Sequence, residues 1–169
     1  GTPTMGGLAI VIAAFIGWMA AHLRDIAFSD QAMIVWVGVL GMSFMGFLDD
    51  WIKVSNERNA GLSKTAKTVG LLLVAVWVAI ATVLWTDVET TLSFTRYNSP
   101  GWDLTNAGWC AWAVLLIYAT TNGVNFSDGL DGLAAGSATL AFSTLMAIGF
   151  WAFRHPGTYH VNHALDLAV

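Results

Sequence analysis

The chain has 169 residues, 56% of them hydrophobic and 11% charged, with a formal net charge of −4. A typical soluble domain is about 25% charged, so this chain has too little polar surface to cover a soluble globule. No basic run or basic face exists, which leaves nucleic-acid binding without a footing. The single cysteine, Cys110, sits in an apolar block, cannot form an intrachain disulfide, and is expected to pack as a small hydrophobe.

The apolar residues come in blocks long enough to cross a bilayer, which takes about 20 residues. The fold class is therefore an all-α polytopic membrane protein, read as one transmembrane domain. Five helices are expected in chain order, over residues 5–23, 31–48, 67–85, 108–121 and 133–153. The fourth is short for a span. It is expected to continue inward through Asn122 or to be completed by neighbouring protein. The chain opens Gly1-Thr-Pro-Thr without an initiator Met and closes Leu165-Asp-Leu-Ala-Val169 like the start of another apolar segment. It reads as an excerpt of a longer protein.

The connections alternate between the two sides of the membrane. The N-terminal strip, the 49–66 loop and the 122–132 loop share one side. Lys53, Arg58, Lys64 and Lys67 belong to that side, against Arg24, Arg96 and Arg154 opposite, so the lysine-bearing side is placed in the cytoplasm. Tryptophans mark the interfaces: Trp85, Trp102, Trp109, Trp112 and Trp151 on the outer boundary, Trp51 on the inner one.

Asp49-Asp50 closes the apolar stretch 33–48. Neighbours on a helix point about 100° apart, so both are not expected to aim at one atom. One can meet a cation directly while the other acts through water or takes a proton. Lys53, three positions after Asp50, shares its face and can reach a phosphate or the acid. A solvated helix end is the plain alternative. Acids at a helix C-terminus oppose the macrodipole, however, and that leaves the pairing unexplained.

A second cluster is spaced Asn122, Asn125, Asp128, Asp131, each pair i,i+3. Gly123, Gly129 and Gly132 weaken a regular helix, so a broken or tightly turned segment lining a cavity is expected. Amides can donate to phosphate or sugar oxygens, and carboxylates hold hard cations such as magnesium. The alternative is an ordinary polar turn. Thr2 and Thr4, before the first helix, can bond a phosphate or simply cap it. His155, His160 and His163 fall on the opposite side from the acids and read as a solvated outer loop.

Taken together, the strings Gly1-Thr-Pro-Thr-Met-Gly-Gly7, Phe47-Leu-Asp-Asp-Trp-Ile-Lys53, Gly61-Leu-Ser-Lys-Thr-Ala-Lys67 and Asn122-Gly-Val-Asn-Phe-Ser-Asp-Gly-Leu-Asp-Gly-Leu-Ala134 resemble the phospho-N-acetylmuramoyl-pentapeptide transferases, in order and across the whole chain. The resemblance implies a roughly ten-helix fold in the bacterial inner membrane, of which this excerpt holds about half. It implies transfer of phospho-N-acetylmuramoyl-pentapeptide from its UDP carrier to undecaprenyl phosphate, with UMP leaving and Mg2+ required. Its active site faces the cytoplasm, and a homodimer is compatible with it. It implies that Asp49, Asp50 and Asp128 are catalytic and that Asp49 and Asp128 meet the metal. Thr4, Lys53, Lys67, Asn122, Asn125 and Asp131 would contact substrate, with Asp131 near the uracil.

Leu71 departs from the family, which usually has a glutamine there. A lysine expected before Gly1, a later Asp-bearing glycine loop that supplies the family's main magnesium ligand, and a further histidine cluster lie outside the chain. The excerpt alone is accordingly expected to be inactive. A polyprenyl-phosphate N-acetylhexosamine-1-phosphate transferase, which shares the acid pair, is the nearest alternative. A cation-coupled transporter is the other. Transport needs polar groups near the midplane, and the expected helices carry no ionisable residue there.

Overall fold

The computed structural model describes residues 6–23, 28–56, 60–93, 100–127 and 132–159. Its elements are α1 (Gly6–His22), α2 (Asp30–Ser55), α3 (Lys64–Trp85), a short antiparallel pair β1 (Thr91–Leu92) and β2 (Trp102–Asp103), α4 (Thr105–Ser127), α5 (Leu133–Arg154) and the single-turn α6 (Pro156–Tyr159). The helices α2, α3 and α5 are long and apolar enough to cross a membrane, and the shorter α1 is also apolar. Most large apolar side chains on α1, α2 and α5 face outward. That is the pattern of a fold whose solvent is lipid, since lipid tails are as apolar as leucine.

Two serines set helix starts. Ser29 accepts from the Ala32 amide and Ser63 from the Ala66 amide, each at 3.2 Å. Each satisfies one of the orphan donors of a first turn. The expected second helix stopped at residue 48, but α2 runs on for two more turns to Ser55. The acid pair therefore lies inside regular helix rather than at its end. The expected fourth helix covered 108–121, whereas α4 starts at Thr105 and reaches Ser127. Its start is fixed by Asp103, whose Oδ1 accepts from the Thr105 amide at 2.8 Å. The expected break is absent over the described part of the polar ladder: helix continues through Gly123 and Asn125. The glycine penalty of about 1 kcal/mol is too small to interrupt a 23-residue helix.

The helix α3 is the centre of the packing, with α2 on one flank and α4 on the other. Contact with α2 is close because glycines alternate with side chains across it. A Cβ on Gly38 would fall 2.8 Å from Val78 Cγ2, and one on Gly41 would fall 2.9 Å from Val74 Cγ1. In the reverse sense Met45 of α2 lies over Gly70 of α3, where a Cβ would fall 2.6 Å from its Sδ. Small residues at these crossings let backbones approach, the usual route to helix association in lipid. The α4 side is lined by small residues as well. Ala75 and Ala79 are buried, and the Cys110 thiol donates to the Ala79 carbonyl at 3.7 Å. Leu71 is buried in α3. On the far side, α1 is held to α2 by aromatics: Phe15 meets Trp36 edge-on at 5.3 Å and Trp18 meets Trp36 at 5.4 Å.

Candidate active site

Both acids of the pair reach one cation. Lys53 Nζ lies 2.6 Å from Asp49 Oδ2 and 3.2 Å from Asp50 Oδ1. This corrects the expectation that neighbouring acids cannot aim at one atom. Lys53 is i+4 to Asp49 and i+3 to Asp50, and both spacings bring side chains together on a helix. The flexible lysine stem closes the remaining angle between them.

The two carboxylates are not equivalent. The Asp49 side chain is 12% exposed and the Asp50 side chain 34%. Asp49 is covered by the chain that returns from α2 to α3. Its Oδ1 accepts from the Leu62 amide at 2.8 Å. Gly61 lies directly against it, and a Cβ there would fall 2.7 Å from Asp49 Cγ and 2.8 Å from its backbone carbonyl oxygen. Each oxygen of Asp49 therefore has a donor of its own, a backbone N–H and an ammonium. Charge-assisted bonds of this kind are roughly twice as strong as neutral ones.

From Leu62 the chain enters α3 through the Ser63 cap. Lys64 and Lys67 fall in the first turn, where the helix dipole is positive. Lysines there are unfavourable for the helix and favourable for an anion. The Lys67 charge reaches Asp49 and adds to the field around it. The same end of the bundle carries the late part of α4, because α3 and α4 run antiparallel: Cys110, early in α4, meets Ala79, late in α3, and Tyr118 Oη lies 3.5 Å from Thr68 Oγ1. Asn122, one turn beyond Tyr118, donates through Nδ2 to the Tyr118 carbonyl at 2.8 Å. Asn125 is exposed one turn further on.

Among the sequence-predicted site residues, then, Asp49, Asp50, Lys53 and Lys67 gather at the α2–α3 junction. Asn122 and Asn125 stand at the same end of the bundle. Thr4, Asp128 and Asp131 lie outside the described residues. So do His160 and His163, while His155, just past the end of α5, bonds the Trp151 carbonyl at 3.0 Å and stacks on its ring. Among the described residues no three of His, Cys, Asp or Glu cluster as a metal site. The acid pair is a partial set of hard oxygen donors. That suits magnesium, which commonly takes one or two carboxylates and fills its shell with water and substrate phosphates.

Sequence reasoning quoted Gly61 and Leu62 only within a family string, with no role, and missed Tyr118. Gly61-Leu62 had a weak signal, a glycine beside an apolar residue in a polar loop. Tyr118 had none, since its contact crosses to Thr68, 50 residues away.

The model of the family described as "Glycosyl transferase family 4" matches residues 32–168. The chain is also similar, over its full length, to proteins named phospho-N-acetylmuramoyl-pentapeptide-transferase. It is 36% identical to the one from Streptomyces griseus, 37% to that of Mycobacterium leprae and 38% to that of Thermobifida fusca. The chain spans about half the length of these curated relatives, 52% in each case. The match begins in α2 and takes in the acid pair, the Gly61-Leu62 return and the α4 ladder, and on that basis the chain belongs to glycosyl transferase family 4.

Proposed function

We propose that the protein transfers phospho-N-acetylmuramoyl-pentapeptide from UDP to undecaprenyl phosphate, giving lipid I and UMP in peptidoglycan synthesis. The reaction is placed at the cytoplasmic face of a bacterial inner membrane. The observation that carries this reading is the acid pair joined through Lys53, at the same bundle end as the first-turn lysines of α3 and Asn122. Phosphoryl transfer needs positioning and charge neutralisation more than covalent work by the protein. In the reaction an oxygen of the lipid phosphate bonds to the sugar-linked phosphorus, and the bond from that phosphorus to the UMP oxygen breaks.

The parts take roles that suit their surroundings. Lys53 and Lys67 bind phosphate oxygens. Asp50, the more open acid, orients or deprotonates the lipid phosphate, and Asp49 and Asp128 complete the acidic centre. Asn122, Asn125 and Asp131 bind the nucleotide side, and Thr4 contacts substrate. Asp49 and Asp128 are the residues that would hold magnesium. When bound, the metal neutralises the diphosphate and eases departure of UMP.

The test is reconstitution of the full-length protein in undecaprenyl-phosphate vesicles with the UDP-muramoyl-pentapeptide. Expected are lipid-linked product and UMP in equal amounts, lost on chelation and restored by magnesium. Transfer from UDP-N-acetylglucosamine instead would assign the chain to the hexosamine branch. Residues 1–169 alone are expected to give no product.

A further inference from the structure

Gly61 does not need to be glycine for its backbone angles, because no positive φ occurs there. What it needs is the space taken by Asp49. The missing Cβ leaves room for the carboxylate, and the next amide, of Leu62, bonds Asp49 Oδ1 at 2.8 Å. The neighbours that close on Asp49 from this side are therefore backbone, which has no rotamer freedom. Lys53 closes the other oxygen. Any residue larger than glycine at 61 presses on the Asp49 carboxylate, which Lys53 and the Leu62 amide hold, and on the Asp49 carbonyl oxygen, which is backbone.

We propose that Gly61 and the Leu62 amide form a backbone clamp that positions the Asp49 carboxylate for the transfer step. Gly61 is a positioning residue: it touches no reacting atom and acts through Asp49. Its effect on rate rests on the transferase reading above, but the clamp itself has a readout independent of activity.

Two measurements on the full-length protein test it. The first is hydrogen exchange at the Leu62 amide. Asp49→Ala removes the acceptor, and exchange there is expected to quicken by roughly tenfold or more, the equivalent of one charge-assisted hydrogen bond. Unchanged exchange at Leu62 overturns the clamp. The second is the kinetics of Gly61→Ala, with rates normalised to the number of nucleotide-substrate sites found by binding titration. A misplacement of about 1 Å can lower rate by about 100-fold. A fall of that order in kcat is expected, with KM for the UDP substrate held within about twofold. A merely structural defect lowers the number of sites and leaves kcat per site alone, and that result overturns the proposal. Should Gly61→Ala not fold, the exchange measurement decides alone. If the native protein makes no lipid-linked product while Asp49→Ala still releases the Leu62 amide, the transferase reading fails and the clamp stands.

Discussion

Replacing Gly41 by alanine isolates how closely α2 and α3 approach. The new Cβ would stand 2.9 Å from Val74 Cγ1 and 3.1 Å from Val74 Cγ2. Valine in a helix has one strongly preferred rotamer, so the valine cannot swing aside and the helices must part. Overpacking of this kind costs about 1–3 kcal/mol. Alanine in place of glycine in a helix interior returns up to about 1 kcal/mol. The net effect is a loss of up to roughly 2 kcal/mol, about 30-fold in the folded-to-unfolded ratio. Gly46→Ala on the same helix is the control, because nothing lies within 4 Å of a Cβ there. It gains the helix-propensity term without the contact. The difference between the two variants is therefore the contact alone, about 1–3 kcal/mol. Reversible unfolding of the full-length protein in mixed detergent micelles measures it. Adding Val74→Ala to Gly41→Ala should restore most of the loss. Equal stabilities for Gly41→Ala and Gly46→Ala would refute the packing argument outright.

Two further outcomes follow from the charged end of the bundle. Lys53→Ala leaves Asp49 and Asp50 side by side without their shared cation; kcat/KM for the proposed transfer should drop by roughly 100-fold, the order seen when one preorganised donor is removed, and Lys53→Arg should recover part of it. A wild-type rate in Lys53→Ala would remove Lys53 from the site. In a Cys110→Ser background, single cysteines replacing the exposed Asn56 and Asn125 should react with an impermeant maleimide from one membrane face, and one replacing Asp87 from the other; labelling of Asn56→Cys and Asn125→Cys from opposite faces would separate the acid pair from the asparagines.

Much of this arrangement was visible in the residue order. Long apolar blocks located the five long helices because hydrophobicity alone decides what can sit in lipid. Alternation of the connections placed the 49–66 and 122–132 loops together, and the antiparallel contacts of α3 with α4 agree with that. Boundaries were harder. Counting hydrophobic residues ended the second helix at the first acid, yet backbone hydrogen bonding carries α2 past it to Ser55. Composition likewise suggested a broken segment over 122–131; over its described part, up to Ser127, α4 stays regular, since tertiary packing outweighs the one glycine there. The two-residue strands β1 and β2 were too short to leave a period in the sequence. Contacts that cross the fold left no trace at all. The bond from Leu62 to Asp49 spans 13 positions, and nothing local in Gly61 says that a carboxylate occupies the place of its side chain.

The interlock of α2 and α3 works like a ruler with fixed graduations. Val78 sits at Gly38, Val74 at Gly41 and Met45 at Gly70, so the two rods are keyed at three heights. A slip by one notch would take these side chains off the glycines and drive them into neighbouring side chains. The spacing between the acids of one rod and the lysines of the other is thus set by packing alone, and the diphosphate of the proposed transfer would find its cations already laid out rather than having to gather them.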